Sequence, residues 1–267
     1  MEFNFIKRRV IILGSSSGIG FELALQLSQL GASVCLVGRE EAKLKAAYSR
    51  LEHSNYDEQK NLYYSCDLTE VNAINSLWNF IQDEWGDQVD SLVLNSGGPP
   101  FIASITEINM EEWFTYFQSL FISQIALVCK SLSYMKSINF GRIVSISSSG
   151  IIEPLQGLGI SNSIRSSLHA WLKTLSLEVA SNGINITTAV IGKVATDRLA
   201  NIDKNRSELL DCTLDEVINK NCNNIPMGRY GRTNEAAEAI IFLLSEYSSY
   251  INGSYLLIDG GNIKKSF

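Results

Sequence analysis

The stretch VIILGSSSGIG, residues 10–20, decides the fold class of this chain. Its first four residues form a continuous apolar run, which is typical of a short strand buried on both faces. Gly14, Gly18 and Gly20 follow, and leucines at helical spacing come after them. A glycine-rich turn between a strand and a helix indicates a site for the pyrophosphate of a dinucleotide, because the free N–H groups of the helix N-terminus favour an anion.

Each part of this loop has a predicted role. Gly14 makes the tight exit from the strand, Gly18 lets the backbone approach the pyrophosphate, and Gly20 lets the helix pack closely on the sheet. The serines between them add hydroxyl donors. The loop residues predicted to bind the cofactor are Gly14, Ser16, Ser17, Gly18, Ile19 and Gly20.

Strand-like runs alternate with helical patterns along the rest of the chain. The further apolar runs are Ser33–Val37, Leu62–Cys66, Ser91–Leu94, Ile143–Ile146, Ile184–Val190 and Tyr255–Ile258. This alternation predicts a Rossmann-type, doubly wound α/β fold, with a seven-stranded, mostly parallel sheet, helices on both faces and a single domain over residues 1–267. The strand-free stretch at about 193–232 is predicted to form a lid over the substrate crevice.

Composition excludes several classes of protein. The 267 residues are 45% hydrophobic and 19% charged, which is enough apolar material for one large core. The formal net charge of −6 argues against a nucleic-acid partner, and no apolar run approaches the ~20 residues of a membrane span. The first residues lack the apolar centre of a signal peptide, so a cytoplasmic location is expected.

The five cysteines predict neither a disulfide framework nor a metal site. Their number is odd, and no two of them are spaced as Cys-x-x-Cys. Cys35, Cys66 and Cys129 lie inside apolar runs, where a free thiol behaves as a small buried hydrophobe.

The glycine spacing and several later motifs carry a resemblance to a known family. The later motifs are Asp67-Leu68, Asn95-Ser96-Gly97, Gly141-Arg142-Ile143-Val144 and Asp259-Gly260-Gly261. From about residue 9 to residue 261 the chain resembles the short-chain dehydrogenases/reductases. Its Asn95–Pro99 stretch and its Ser161-Asn162 pair resemble a divergent branch of that family, similar to 3-oxoacyl-[acyl-carrier-protein] reductases.

The resemblance implies further cofactor contacts beyond the glycine loop. Asp67 and Leu68 occupy the place where the family contacts adenine, and Asn95 and Gly97 match the family's Asn-Ala-Gly after the fourth strand. Gly192 and Thr196 stand where the family contacts the nicotinamide carboxamide. These residues join the predicted cofactor site.

The end of the second strand favours NADP (NADPH) over NAD. NAD-binding proteins place an acidic residue there for the ribose 2′-hydroxyl, whereas NADP-binding proteins offer arginine to the 2′-phosphate. Gly38 stands where the acid is expected, and Arg39 follows it. The alternative is that Arg39 is an ordinary surface residue beside Glu40 and Glu41.

At the catalytic positions the chain departs from the family, in which a Ser, a Tyr and a Lys carry the reaction with an Asn on the preceding helix. Ser148 matches the family's serine. Ser161 and Arg165 occupy the Tyr and Lys places, and the Asn place falls near Leu120. A serine hydroxyl is a poor proton donor compared with a phenol, and arginine does not shuttle protons. The predicted catalytic residues are therefore Ser148, Ser161 and Arg165, in an atypical site.

Three other groups could compensate for the missing Tyr and Lys. His169 lies one turn after Arg165, although a packed histidine is favoured because it stands between apolar residues. Lys193 could replace the lost charge, although a surface role is favoured. Tyr230 is a possible phenol from the lid, with no spacing that supports it.

The leading hypothesis is an NADP-dependent oxidoreductase that reduces a carbonyl group, in a small molecule or an acyl-linked substrate such as a 3-oxoacyl group, or oxidises the alcohol. The first alternative is a catalytically impaired dinucleotide-binding sensor or assembly partner, because the Tyr and Lys are missing. The second is a non-redox enzyme on the same fold. It is ranked last, because the halohydrin dehalogenases that use Arg keep the Tyr and lack the glycine loop.

The resemblance also implies a homo-oligomer, with a tetramer favoured over a dimer. Members of the family commonly pair through two long helices, which here would be 110–137 and 161–180. The large side chains that could lie exposed on them are Trp113, Phe114, Phe117, Phe121 and Trp171, and the alternative is that these residues belong to the core.

Overall fold

Seven strands form one parallel sheet in the computed structural model, which describes residues 3–51, 56, 58–99 and 104–265. The strands are β1 (Arg9–Leu13), β2 (Ser33–Gly38), β3 (Leu62–Ser65), β4 (Ser91–Leu94), β5 (Gly141–Ser148), β6 (Ile184–Ile191) and β7 (Ser254–Ile258). They pair in the order β3-β2-β1-β4-β5-β6-β7, and every pair is parallel. The predicted doubly wound α/β fold is therefore confirmed.

Helices cover both faces of this sheet. They are α1 (Gly18–Gln29), α2 (Glu41–Tyr48), α3 (Ala73–Trp85), α4 (Met110–Phe117), α5 (Ser123–Ser137), α6 (Gly159–Val179), α7 (Asp197–Leu210), α8 (Leu214–Asn224) and α9 (Thr233–Leu244). Apolar side chains of α1, α2 and α9 pack on one face, and those of α3, α5 and α6 pack on the other. The sheet is thus the middle of three layers.

Both faces of β1 are buried, which explains why apolar and polar residues do not alternate in its sequence. Side chains of a strand point alternately to its two faces. Val10 and Ile12 pack among the residues of α1 and α9, whereas Ile11 and Leu13 pack among those of α3, α5 and α6, and all four are fully buried. Burial of one such side chain contributes about 1.5–3 kcal/mol, so both faces of β1 stabilise the fold.

The strand order reverses between β1 and β4, which opens a crevice at their carboxyl ends. Chain segments that leave β1 and β4 turn to opposite sides of the sheet there, and ligands of open α/β sheets bind at such a point. The glycine-rich loop follows β1, and the segment that begins at Asn95 follows β4. The topology therefore brings these two loops together.

The predicted helix over 110–137 is interrupted. A π-helical turn, Gln118–Ile122, separates α4 from α5, and the Ser123 amide donates to the carbonyl of Gln118, five residues earlier. Such a turn rotates the side chains that follow it relative to those before it. Leu120 is fully buried against Ile160 and Ile164, so the place where the family has its Asn faces the core.

The strand-free segment predicted over 193–232 contains α7 and α8. Its two ends are joined where Val194 bridges Gly231, and the amide of Ala195 donates to the Gly231 carbonyl. Its role as a lid stays a prediction.

One burial prediction was wrong. Cys35 and Cys66 are buried as expected, but Cys129 is exposed on α5. The apolar neighbours of Cys129 in sequence lie on other faces of the helix, where Leu127 and Val128 are fully buried. In the described part of the chain, no helix is long and apolar enough to cross a bilayer.

The aromatic residues predicted on the long helices divide into two groups. Phe114 and Phe117 are exposed, and Phe117 stacks on Phe121 with ring centroids 4.9 Å apart. Trp113, Phe121 and Trp171 are half-buried against the core. The homo-oligomer itself stays a prediction.

Candidate active site

One cleft of about 520 Å³ lies at the crevice between the loops after β1 and β4. Of the sixteen residues predicted for the cofactor and catalytic sites, all except Gly20 line it. Those that line it are Gly14, Ser16, Ser17, Gly18, Ile19, Arg39, Asp67, Leu68, Asn95, Gly97, Ser148, Ser161, Arg165, Gly192 and Thr196. Residues far apart in sequence are thus brought to one cavity.

The glycine-rich loop leaves the start of α1 open toward the cleft. Gly14 and Gly18 have φ of 61° and 60°, a left-handed conformation that favours glycine. Ser17 is the N-cap residue of α1, yet its side chain makes no capping hydrogen bond. The first N–H groups of α1 are therefore left for an anion. Ser15, by contrast, is structural, because its hydroxyl donates to the Ile12 carbonyl and accepts from the Val37 amide.

Gly20 does not line the cleft, because its contact is with the loop itself. A Cβ at this position would overlap the carbonyl oxygen of Gly14 and lie 3.0 Å from the Cα of Ser15. The Gly14 carbonyl also accepts a hydrogen bond from Asn95 Nδ2 at 3.1 Å. Gly20 thus allows the close packing of α1 on a loop that Asn95 ties to β4.

The far end of the cleft, beside the carboxyl end of β2, carries charged side chains and leaves room for a ligand at Gly38. Arg39 is exposed and lines the cleft beside Glu40 and Lys43, whose side chains form an ion pair at 2.7 Å. A Cβ at Gly38 would lie 3.5 Å from Ser16 Oγ, which is ordinary contact. Lys43 was not predicted as a site residue, although a lysine three residues after a glutamate at a helix start indicates an ion pair.

The other predicted cofactor residues are held by the elements around the cleft. Asp67 is fixed by Thr69, whose amide and hydroxyl both donate to Asp67 Oδ1. The Gly192 amide donates to the Ile258 carbonyl, so this residue is tied to the end of β7. Thr196 caps α7, and its methyl group would lie 3.4 Å from a Cβ placed on Gly18. The base of the strand-free segment therefore lies across the glycine loop.

The near end of the cleft, beside the carboxyl end of β5, is lined by Ser148, Ser161 and Arg165. Ser161 is 6% exposed, and its Oγ accepts a hydrogen bond from Arg165 Nε at 3.2 Å. Ser148 Oγ accepts from the Gly150 amide at 3.2 Å. Each serine oxygen is thus used as an acceptor, which leaves its O–H free to donate to a ligand in the cleft.

Arg165 is held by the backbone rather than by a carboxylate. Its Nη1 donates to the Ile146 carbonyl at 3.1 Å, and its Nη2 donates to the Ser96 carbonyl at 3.0 Å. Burial lowers the pKa of Arg165 to about 10, and the positive charge of Arg198 adds to this effect. Arg165 remains a cation at neutral pH.

Three residues that the sequence did not single out also face this end. Tyr116 on α4 and Ser119 in the π turn line the cleft, and so does Arg198 on α7, which donates to the Pro99 carbonyl. Ser119 rather than Leu120 thus faces the cleft from this helix.

The cleft lining does not include His169, Lys193 or Tyr230. His169 Nδ1 lies 3.0 Å from Thr188 Oγ1 and burial lowers its pKa, which fits the packed role. The Tyr230 hydroxyl donates to Asp203, which is 2% exposed, and burial raises the pKa of this phenol. Lys193 is half-buried rather than fully exposed.

Within the ranges that the structure describes, no group of three or more His, Cys, Asp or Glu side chains could hold a metal ion.

Known proteins share this architecture over nearly the whole chain. Residues 14–262 match the family described as enoyl-(acyl carrier protein) reductase. The 3-oxoacyl-[acyl-carrier-protein] reductase FabG of Haemophilus influenzae is 30% identical over 259 residues, 94% of this chain and 96% of that protein.

Solved structures show the same fold. YwfH, an NADPH-dependent reductase involved in bacilysin biosynthesis, has a TM-score of 0.89 at 25% identity, over 97% of this chain and 100% of that one. L-Sorbose reductase from Gluconobacter frateurii, solved with NADPH and L-sorbose, has a TM-score of 0.90 at 24% identity, over 100% of both chains. With the family match over residues 14–262 and the relative at 30% identity, the chain belongs to the short-chain dehydrogenase/reductase family.

Proposed function

We propose that this chain is an NADP-dependent oxidoreductase that reduces a carbonyl group, in a small molecule or an acyl-linked substrate, or oxidises the corresponding alcohol. The observation that carries the proposal is that one cleft joins the open N-terminus of α1 to the Ser148, Ser161 and Arg165 cluster. The relatives support it, because the Haemophilus influenzae protein is named a 3-oxoacyl reductase and YwfH an NADPH-dependent reductase.

The residues of the cleft fit a dinucleotide. Gly14 and Gly18 have left-handed backbones that bring the loop's N–H groups to the start of α1, where a pyrophosphate would be held. Asp67 and Leu68 would hold adenine, and Gly192 and Thr196 would hold the nicotinamide carboxamide. When bound, NADPH would supply a hydride.

The charges at the far end support NADP over NAD. An acidic side chain at position 38 would face the 2′-phosphate, but Gly38 has none. Arg39 is exposed in the cleft, and Glu40, which would repel a phosphate, is neutralised by Lys43 at 2.7 Å. Arg39 therefore offers its guanidinium to a 2′-phosphate.

The three catalytic candidates would act on the carbonyl oxygen. Ser148 and Ser161 would each donate a hydrogen bond to it. The Arg165 cation would strengthen the donation by Ser161, because Arg165 Nε donates to Ser161 Oγ. They stabilise developing negative charge without moving a proton at neutral pH. The proton then comes from water or from Tyr116, the phenol that lines the described part of the cleft.

The test is carbonyl-dependent oxidation of NADPH by the full chain, with Ser148→Ala as the variant. We expect the substitution to lower kcat by about 10- to 1,000-fold, because it removes one donor to the developing oxyanion. NADPH affinity is expected to stay unchanged. Ser167→Ala, an exposed serine on α6, is the matched control and should keep full activity.

A second candidate function is a dinucleotide-binding protein without turnover. It is favoured by the fixed hydrogen bonds of Arg165 and by the serine in the tyrosine place. NADPH binding without oxidation across a panel of ketones, aldehydes and 3-oxoacyl thioesters would contradict the oxidoreductase proposal and support this one.

A further inference from the structure

Two guanidinium groups rest on the loop that follows β4. Arg165 Nη2 donates to the Ser96 carbonyl at 3.0 Å, and Arg198 Nη2 donates to the Pro99 carbonyl three residues later. A Cβ on Gly98 would lie 3.0 Å from Arg198 Nη2, so the glycine permits this close approach. Both arginine side chains line the cleft, one from α6 and one from α7.

Neither arginine has a carboxylate partner among the ion pairs of the described residues. The carboxylates that line the cleft are Glu40, which pairs with Lys43, Asp67, which accepts from Thr69, and Asp197, which is exposed at the start of α7. At the near end of the cleft, Arg165 and Arg198 are therefore accompanied by a single carboxylate, that of Asp197. This imbalance favours an anionic ligand.

The arginines retain hydrogen-bond donors for such a ligand. A guanidinium has five N–H donors, of which Arg165 uses three and Arg198 one in the described contacts. Arg198 thus keeps four, enough for the two parallel bonds by which arginine binds a carboxylate. Tyr116 also lines the cleft, and its hydroxyl can donate as well.

We propose that the substrate is a free oxo acid, whose carboxylate is bound by Arg198 while its carbonyl oxygen is held by Ser148 and Ser161. This proposal rests on the proposed oxidoreductase function and narrows its substrate class. Arg198 is exposed, so beside a neutral ester or thioester its charge would be met by water, whereas a carboxylate would form two parallel charged hydrogen bonds with it. The free acid is therefore preferred over the acyl-linked form.

The experiment compares each acid with its own ester. Acetoacetate, 3-oxooctanoate and their methyl esters are titrated calorimetrically into the full chain saturated with NADP⁺, which cannot reduce a ketone, so binding is measured without turnover. We expect each acid to bind about 10- to 100-fold more tightly than its ester, as for a hydrogen bond to a charged group.

Variants on α7 assign the preference to one side chain. Arg198→Gln is expected to remove the preference for the acids, and Arg198→Lys is expected to retain part of it. Lys204→Gln removes a cation from the exposed part of the same helix, outside the cleft, and should change nothing. Persistence of the full preference in Arg198→Gln would overturn the assignment.

The outcomes separate this inference from the proposed function. Equal affinity for acid and ester, or no binding of any of the four compounds, contradicts the oxo-acid site. If NADP⁺ itself does not bind, the proposed function fails, and the same titration is made without cofactor. A preference for the acids that depends on Arg198 would then support the anion site alone, and its absence would contradict it.

Discussion

Replacement of Gly20 by alanine is expected to weaken NADPH binding by on the order of 100-fold, about 2.7 kcal/mol. The added Cβ would overlap the Gly14 carbonyl oxygen, so the loop must move away from α1. That movement displaces the N–H groups that would hold the pyrophosphate. Fluorescence titration of the variant with NADPH measures the loss.

The control for Gly20→Ala is Gly86→Ala, which lies at the end of α3, far from the cleft lining. A Cβ there meets nothing within 4 Å, and the cost is confined to its left-handed backbone, about 1 kcal/mol of stability. We expect this variant to melt at a lower temperature but to bind NADPH normally. Normal NADPH affinity in Gly20→Ala would refute the role assigned to the loop.

Restoring the family's residues with Ser161→Tyr and Arg165→Lys together is expected to raise kcat for carbonyl reduction by about 10²–10⁴-fold, on the order of 3–5 kcal/mol. A phenol with an adjacent lysine can donate a proton, whereas the serine and arginine can only stabilise charge. The ring must extend into the cleft, because Ser161 lines it and is otherwise buried.

The matched control carries Ser161→Phe with Arg165→Lys, which has the same bulk and lacks the hydroxyl. Steady-state rates of NADPH oxidation are compared for the three proteins. An equal rate in the Phe control, or no gain in the Tyr variant, would show that the missing proton donor does not limit this site.

The fold could be predicted from the sequence because its signals are local. Buried parallel strands require short apolar runs, and each of the seven runs became a strand with ends shifted by up to two residues. The glycine loop could be predicted for the same reason, because the left-handed backbone at Gly14 and Gly18 favours glycine over other residues. These constraints act within a few positions of the chain.

The catalytic end could be predicted only in part. The sequence places Ser148, Ser161 and Arg165, but it does not show that Arg165 donates to two backbone carbonyls. Arg198 and Tyr116 reach the cleft only after α7 and α4 pack around it. These contacts depend on tertiary structure.

The π turn and Cys129 show the same limit on a smaller scale. The apolar pattern is continuous through the Gln118–Ile122 segment, so it gives no sign of the π turn that the structure has there. Cys129 follows two buried residues, Leu127 and Val128, and is itself exposed, since the face of a helix changes by about 100° at each residue. Composition of a window does not determine the face of each residue.

Titration of the purified protein with NADPH and with NADH, followed by energy transfer from its tryptophans, tests whether the cleft binds NADP. We expect NADPH to bind about 10- to 100-fold more tightly than NADH, because Arg39 offers charged hydrogen-bond donors to the 2′-phosphate and Lys43 offsets the charge of Glu40. Arg39→Ala should remove most of this preference, while Lys45→Ala, exposed on α2, should keep it. Binding of neither dinucleotide, or equal affinity for the two, would contradict an NADP-specific cleft.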